Sequence, residues 1–417
     1  MSGCKRFFIF RLLIIFTIVL IWWGIGLAAP PFQPTPIILK AGDLLPASLI
    51  KGDNYTIADT VRNDGVINTY QLNTSYGILF VESTAELRVR INELNALKGM
   101  EEMERKGVFK DSLVSGVKAP VKLVGNVVTS PIQTTKNIGK GTGSFISNAG
   151  RSIFSRDPHQ DNILKVALGY DVTKRQFAYN FLINPYTPYK PVSERLGEIS
   201  RAAVAGGLLP RVAMMAIPGP VGTALSLSTT AKGMKKLVRD NPPGALRKIN
   251  EKKLVAMGVD PTLIKVFLNN HSFDPETSTI LVGELETMDG VKGLEYFIAA
   301  ASLANDATTA LLYQVTAQMV ADYHHKVAPV TEVGEVSGRP YLINNAGLFV
   351  LPVPVDYVFW TWEVAEKLNA VESGIQKSGK ITGKALWVSG KVEQRAREMI
   401  AARGWQITQD ASDKLIK

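Results

Sequence analysis

The sequence predicts a mainly α-helical fold, a helical bundle-like body with a small antiparallel β-meander near its N-terminus. Residues Tyr55 to Val81 are rich in β-branched and aromatic side chains and are broken by turn pairs, as a meander requires. From Ser83 onward, apolar residues recur at helical spacing behind good helix-start signals. The chain has 417 residues, 46% of them hydrophobic, which is enough for two or three modest domains with real cores. It divides into 1–29, a signal peptide or membrane anchor; 30–110, the meander plus a helix; 111–156, a basic repeat segment; 157–330, a helical domain; and 331–417, an apolar hairpin and C-terminal helices.

At the start, Lys5, Arg6 and Arg11 precede an uncharged run from Leu12 to Ala29 that stops at Pro30-Pro31. A basic flank before such a run is the signature of either a secretory signal or a single membrane anchor, and it directs everything after it out of the cytoplasm. Cys4 is the only cysteine. Intrachain disulfides and cysteine-rich zinc sites are therefore excluded, and Cys4 lies too early for a lipoprotein signal.

In the meander, Asn63-Asp64-Gly65 predicts a tight turn between Thr56–Arg62 and Val66–Leu72, and Ser75–Gly77 a second one. Ser83-Thr84-Ala85-Glu86 reads as a capping box opening a helix with Leu87, Ile91, Leu94 and Leu97 on one stripe, ending near Gly107.

Between Val117 and Ala149 an 11-residue unit occurs three times, VKAPVKLVGNV, VTSPIQTTKNI and GKGTGSFISNA, with Asn126, Asn137 and Asn148 in step. Eleven residues are about three helical turns, so equivalent positions stay on one side of a helix. Lys118, Lys122, Lys136 and Lys140 fall with the asparagines on one arc, and Val, Ile, Leu, Phe and Pro lie mostly opposite. From Ser112 to Arg156 there is no acidic residue, and Arg151 and Arg156 extend the cationic character. A broad apolar face beside a lysine-bearing polar face suits a helix lying on a bilayer rather than crossing it. Pro120 and Pro131 would each cost about 3 kcal/mol inside a continuous helix, so the segment is drawn as short helices, Ser130 capping one that starts at Pro131. The apolar arc meets a lipid surface, the protein's own core or another anionic partner. In period alone, the repeats resemble those of lipid-surface proteins such as apolipoproteins and perilipins.

Farther on, a helix is expected around Asn162–Phe181, then a Pro/Tyr-rich connector at Asn184–Pro191. Ser193–Ser228 is built from small and apolar residues suited to close helix packing. Lys232, Lys235, Lys236, Arg239, Arg247, Lys248, Lys252 and Lys253 suggest a second, weaker basic patch. Asp260-Pro261 and Asp274-Pro275 are helix starts, and one long helix is expected over Val291–His325. Tyr341–Trp362 is apolar, but Pro352, Pro354 and Asp356 favour a buried strand-like hairpin over a membrane helix. Ser378-Gly379-Lys380 recurs as Ser389-Gly390-Lys391, an echo of the earlier period. A last helix over Val392–Arg403 stops at Gly404, and Trp405–Thr408 adds a short strand.

Asn63 through Glu93, the repeats, and the stretch DVTKRQFAYNFLINPYTPYKP at Asp171–Pro191 together resemble a group of exported bacterial proteins of no assigned function. The resemblance covers most of the chain. It implies export and this domain order, and carries no chemistry.

The formal net charge of +10 favours an acidic partner. The basic segment has few arginines and few aromatic residues, so nucleic acid is not expected. No nucleophile elbow, paired-histidine metalloprotease motif or phosphate loop is present, and neither a cofactor nor a metal is expected. His159, flanked by Asp157 and Asp161, reads as a solvated loop turn. The reading is an exported envelope protein, periplasmic or anchored in the inner membrane, acting as a structural or adaptor module. Its membrane-contacting residues are Lys118, Lys122, Lys136, Lys140, Arg151 and Arg156, and an envelope protein partner is a further expectation. The alternative is an envelope enzyme with a carboxylate/histidine site at Asp306, Asp322 and His324 on the long helix.

Overall fold

The computed structural model of the protein describes residues 32–105, 158–205, 228–375 and 381–411. The repeats, the N-terminal apolar run and all six membrane-contacting candidates lie outside the described residues. Strands β1 (Ile37–Lys40), β2 (Tyr55–Ile57), β3 (Thr60–Asn63), β4 (Asn68–Thr74) and β5 (Gly77–Glu82) form the expected antiparallel sheet, with two short helices, α1 (Ala41–Leu44) and α2 (Ala47–Ile50), between β1 and β2. β4 is central: β3 pairs with its first residues and β2 with its last, while β5 runs along its other side. The Asn63-Asp64-Gly65 turn forms because short polar side chains close it. Asn63 Oδ1 accepts the Gly65 N–H at 2.7 Å and Asp64 Oδ1 accepts those of Val66 and Ile67.

Ser83 Oγ accepts the N–H of Glu86, opening α3 (Thr84–Arg105) as the capping pattern requires. Its Leu87, Ile91, Leu94 and Leu97 are buried with Val61, Tyr70, Leu72 and Val81 of the sheet. Each such side chain contributes roughly 1.5–3 kcal/mol on burial. Helices α4 (Pro158–Asn180) and α5 (Lys190–Ala205) complete this first core through Phe177, Leu196 and Ile199, with Phe181 just beyond α4. His159 and Asp161 belong to the first turn of α4, not to a loop, because Pro158 is a favoured opening helical residue.

The second core is helical. It contains α6 (Thr229–Asp240), α7 (Pro243–Ala256), α8 (Pro261–Leu268), α9 (Pro275–Glu286), α10 (Leu294–Ala301) and α11 (Ala307–Lys326). Asp260 and Asp274 cap α8 and α9 with Pro at the next position, as expected. Every residue of α9 from Glu276 to Leu285 is buried, enclosed by α6, α7 and α11. The single helix expected over Val291–His325 is two helices, α10 and α11. Ser302 Oγ bonds back to the Ile298 carbonyl, Asn270 takes the carbonyls of Ser302 and Ala304, and Asp306 caps the new start. The break is stabilised by a residue from another part of the chain.

The C-terminal part holds a second, mixed sheet where a hairpin and helices were expected. Its strands β6 (Val330–Val336), β7 (Arg339–Asn344) and β8 (Leu348–Val353) are an antiparallel meander, flanked along the chain by β9 (Tyr357–Val358) and α12 (Trp362–Ile375). β10 (Gly383–Val388), β11 (Lys391–Val392), α13 (Gln394–Ala401) and β12 (Trp405–Thr408) follow, giving a sheet order of β12-β10-β8-β7-β6 and a separate parallel β9–β11 pair. The parallel steps from β8 to β10 and from β10 to β12 pass through α12 and α13. Leu342 and Val350 point into the helical core, while Tyr341, Phe349 and Leu351 point the other way against α12 and α13, so both faces are covered. Pro352 sits at the end of β8, beyond the last pair with β7, where its missing N–H leaves no gap in the ladder.

The first sheet's turn meets the segment around β9. The carbonyls of Gly65 and Val66 in the first sheet's turn accept N–H groups from Asp356, Tyr357 and Phe359. Gly390 lies behind this joint, where a Cβ would stand 1.9 Å from the Asp356 carbonyl oxygen, so Ser389-Gly390-Lys391 is explained by close packing. The other copy of that tripeptide, Ser378–Lys380, lies outside the described residues. No helix among the described residues is long and apolar enough to cross a membrane.

Candidate functional site

The repeat segment is entered from α3 and left into α4. The last turn of α3 is fixed by Glu104, whose carboxylate meets Arg195 of α5 at 2.8 Å, so its entry side has a defined position on the body. The second basic stretch is neutralised in part. Lys235 is buried in an ion pair with Glu276, Lys253 pairs with Glu286 at 2.6 Å, and Arg239 pairs with Asp240 at 2.7 Å. Arg247 is held by the Leu268 carbonyl and Asn269. Lys232, Lys236, Arg247, Lys248 and Lys252 remain exposed, so acidic residues offset only part of the charge run.

Asp306, Asp322 and His324 do not converge. Asp306 is exposed and caps α11, accepting the Thr309 N–H at 2.7 Å, and about 24 Å of helix separates it from Asp322. His324 Nδ1 accepts the Val330 N–H at 3.0 Å and so ties the end of α11 to β6. Burial and the neighbouring His325 push the His324 imidazole below its ordinary range, which suits a neutral acceptor. The two histidine rings lie edge to face, 4.8 Å apart, closer than their adjacent helical positions suggested.

Asp322 lies instead within electrostatic reach of Glu284 of α9, a residue that sequence reasoning missed. Ser228, at the N-cap of α6, donates its hydroxyl to Glu284 Oε1 at 2.5 Å while accepting the Ala231 N–H at 2.8 Å. Lys326, one turn beyond Asp322, closes an ion pair with it at 2.9 Å. Burial raises the Glu284 carboxyl above its ordinary value. The Ser228 hydroxyl and Lys326 oppose that rise and the Asp322 charge adds to it. Asp322 Oδ2 is buried without a hydrogen-bond donor among the described residues. A carboxyl that holds its proton more tightly than usual and is hydrogen-bonded to a hydroxyl is a candidate for acid–base chemistry. The only sequence signal was Glu284 inside the apolar run Thr279–Leu285, and its partners lie 38 and 56 positions away.

The remaining buried charges serve packing. Glu93 of α3, raised by burial, is met by Arg90 and by the hydroxyl of Thr187 in the Pro/Tyr-rich connector. Arg90 also lies 4.3 Å from the Tyr189 ring centre, so that connector is clamped onto α3. Asp356 receives the N–H groups of Asn68 and Thr84, each at 2.8 Å. Among the described residues no group of three or more His, Cys, Asp or Glu side chains is placed to hold a metal ion. The crevice lined by Met319, Tyr323, Leu342, Val350, Pro352 and Trp387 is too tight for a water molecule.

With this geometry in hand, comparison with known proteins finds no matching family model, no matching curated protein and no matching solved structure.

Proposed function

We propose that the chain is an exported envelope protein that acts as a structural or adaptor module, laid against an anionic membrane surface through residues 112–156. The observation that carries this reading is the amphipathic 11-residue period with lysines along one arc. Charge distribution supports it. Residues 1–31 hold three basic and no acidic side chains, and residues 106–157 hold eight basic and two acidic ones, so these stretches supply nine of the ten net positive charges. The described body contributes a frame whose buried ions are largely closed by internal partners. Replacing Lys118, Lys122, Lys136 and Lys140 together by Glu tests the reading in a vesicle-binding assay with anionic liposomes. Each lysine is worth about 1 kcal/mol near such a surface, so binding should fall by well over a hundredfold. Retained binding rejects the lipid role.

One observation favours a second reading, an envelope enzyme working through acid–base chemistry. It is the raised Glu284 carboxyl, hydrogen-bonded to Ser228 and within electrostatic reach of the Asp322–Lys326 ion pair. Screening the purified full chain for hydrolytic activity, with Glu284→Gln as the control, separates the two. Turnover that Glu284→Gln abolishes would favour the enzyme, and no turnover would leave the adaptor ahead.

A further inference from the structure

We infer that the outer edge of β5 pairs with the same edge of a second copy of this chain, making one continuous sheet across a two-fold axis.

Among the described residues β5 pairs only with β4, and it lies outermost in the first sheet. Thr74 and Gly77 flank the two-residue turn, so Gly77, Leu79 and Val81 direct their backbone groups toward β4, and Ile78, Phe80 and Glu82 direct theirs outward. Among the described residues no backbone bond reaches those outward groups. Unpaired N–H and C=O groups at strand spacing accept one kind of occupant, another strand. Sheet proteins usually blunt such an edge with Lys, Pro or a bulge. Gly77–Glu82 has no lysine, proline or register shift, and carries a single charge at its far end. The same residues show an apolar surface. Phe80 is 71% exposed, more than any other large hydrophobic side chain among the described residues, and Ile78 is 63% exposed.

Self-complementarity selects a second copy as the occupant. In an antiparallel pairing centred on Leu79, Ile78 of each chain faces Phe80 of the other, and both residues present their backbone groups outward, so this pair closes hydrogen bonds. Gly77 then faces Val81, leaving room for it. The two Glu82 carboxylates stand apart from each other and outside the apolar set. Centring on Phe80 would press Glu82 onto Ile78, and centring on Val81 would press it onto Phe80. Side-chain parity forbids the registers between, because outward side chains must meet outward ones. Centring on Ile78 would carry Phe80 past the strand end onto Tyr76 of the turn, so within Gly77–Glu82 the Leu79-centred arrangement alone matches apolar with apolar and keeps like charges apart, as an isologous interface requires.

The test uses the full chain in a mild detergent, followed by sedimentation velocity across concentration. A concentration-dependent dimer is expected, because a six-residue edge is a small interface. Ile78→Lys together with Phe80→Lys should weaken the dimer at least tenfold while leaving the melting temperature unchanged, both side chains being exposed. In a Cys4→Ser background, Leu79→Cys should cross-link to itself on oxidation, since the two residues face each other as a non-hydrogen-bonded pair with Cβ atoms about 4.5–5.5 Å apart. A mixture of Ile78→Cys and Phe80→Cys chains should cross-link through a short bismaleimide more than either variant alone, which keeps the test open if Leu79→Cys folds poorly. A chain still monomeric at about 100 µM overturns the inference. So does a double-lysine variant that dimerises as well as the parent, or a dimer in which neither cysteine arrangement cross-links.

Discussion

Thr84 and Asp356 stand 272 positions apart, and the backbone N–H of the first donates to Oδ1 of the second at 2.8 Å. The other carboxylate oxygen takes the Asn68 N–H at the same distance, so one side chain from beside the C-terminal sheet holds the start of α3 and the start of the first sheet's central strand. Burial raises this carboxyl, and the two backbone N–H groups pull it back down.

Asp356→Ala should therefore strand two buried N–H groups. The expected loss is on the order of 3 kcal/mol, read as a lower urea midpoint of the purified chain. Asp356→Asn should cost less, since its amide oxygen still accepts one of the two. Equal stability of parent and Ala variant would show that the carboxylate does not hold the sheets together.

The buried pair of Lys235 on α6 and Glu276 on α9 makes a second prediction. Both side chains are 8% exposed, so removing one partner leaves a charge in the core. Lys235→Met is expected to destabilise by about 3–5 kcal/mol, and Lys235→Met combined with Glu276→Leu to recover most of that. A double-mutant cycle on denaturation free energies checks it. Additive losses would mean that the two groups do not depend on each other.

For Glu284 the sign of the pH dependence follows from its raised carboxyl. The folded chain holds this proton more tightly than the unfolded one, so the associated stability is fully present below the ordinary value of 4.5 and is lost as pH rises through the folded-state value. Glu284→Gln, which cannot ionise, should gain on the parent as pH climbs from 4.5 toward 8. Glu372 should show the opposite behaviour. Partial burial pushes its carboxyl up, but Lys384, the Trp405 indole N–H and Arg403 outweigh that and hold it low. Its contribution is present above 4.5 and is lost as pH falls, so the parent's advantage over Glu372→Gln should shrink in acid. Urea midpoints of parent and variants across pH measure both trends, and parallel curves would contradict them.

Much of the fold was legible where the deciding interaction is local. Ser83, Asp260 and Asp274 cap the helices they precede, Asn63 and Asp64 close their turn, and Leu87, Ile91, Leu94 and Leu97 form the buried stripe their spacing describes. The break at Ser302–Asp306 was not legible, because Asn270 makes it from outside the apolar run. The candidate acid–base site was half legible: Asp322 stood out, but its partners Glu284 and Ser228 come from two other helices.

The sequence by itself determined the mainly helical character, the N-terminal meander, most helix starts and the concentration of positive charge in two stretches. These depend on backbone torsions, on contacts within a few residues and on composition. Tertiary structure decided which charges meet, which sheet edge stays open and how residues 330–411 become a mixed sheet with helices on both faces. Those outcomes depend on which surfaces pack together. Lys235 finds Glu276 and Asp356 finds Thr84 only because buried apolar faces bring distant stretches of chain within hydrogen-bonding reach.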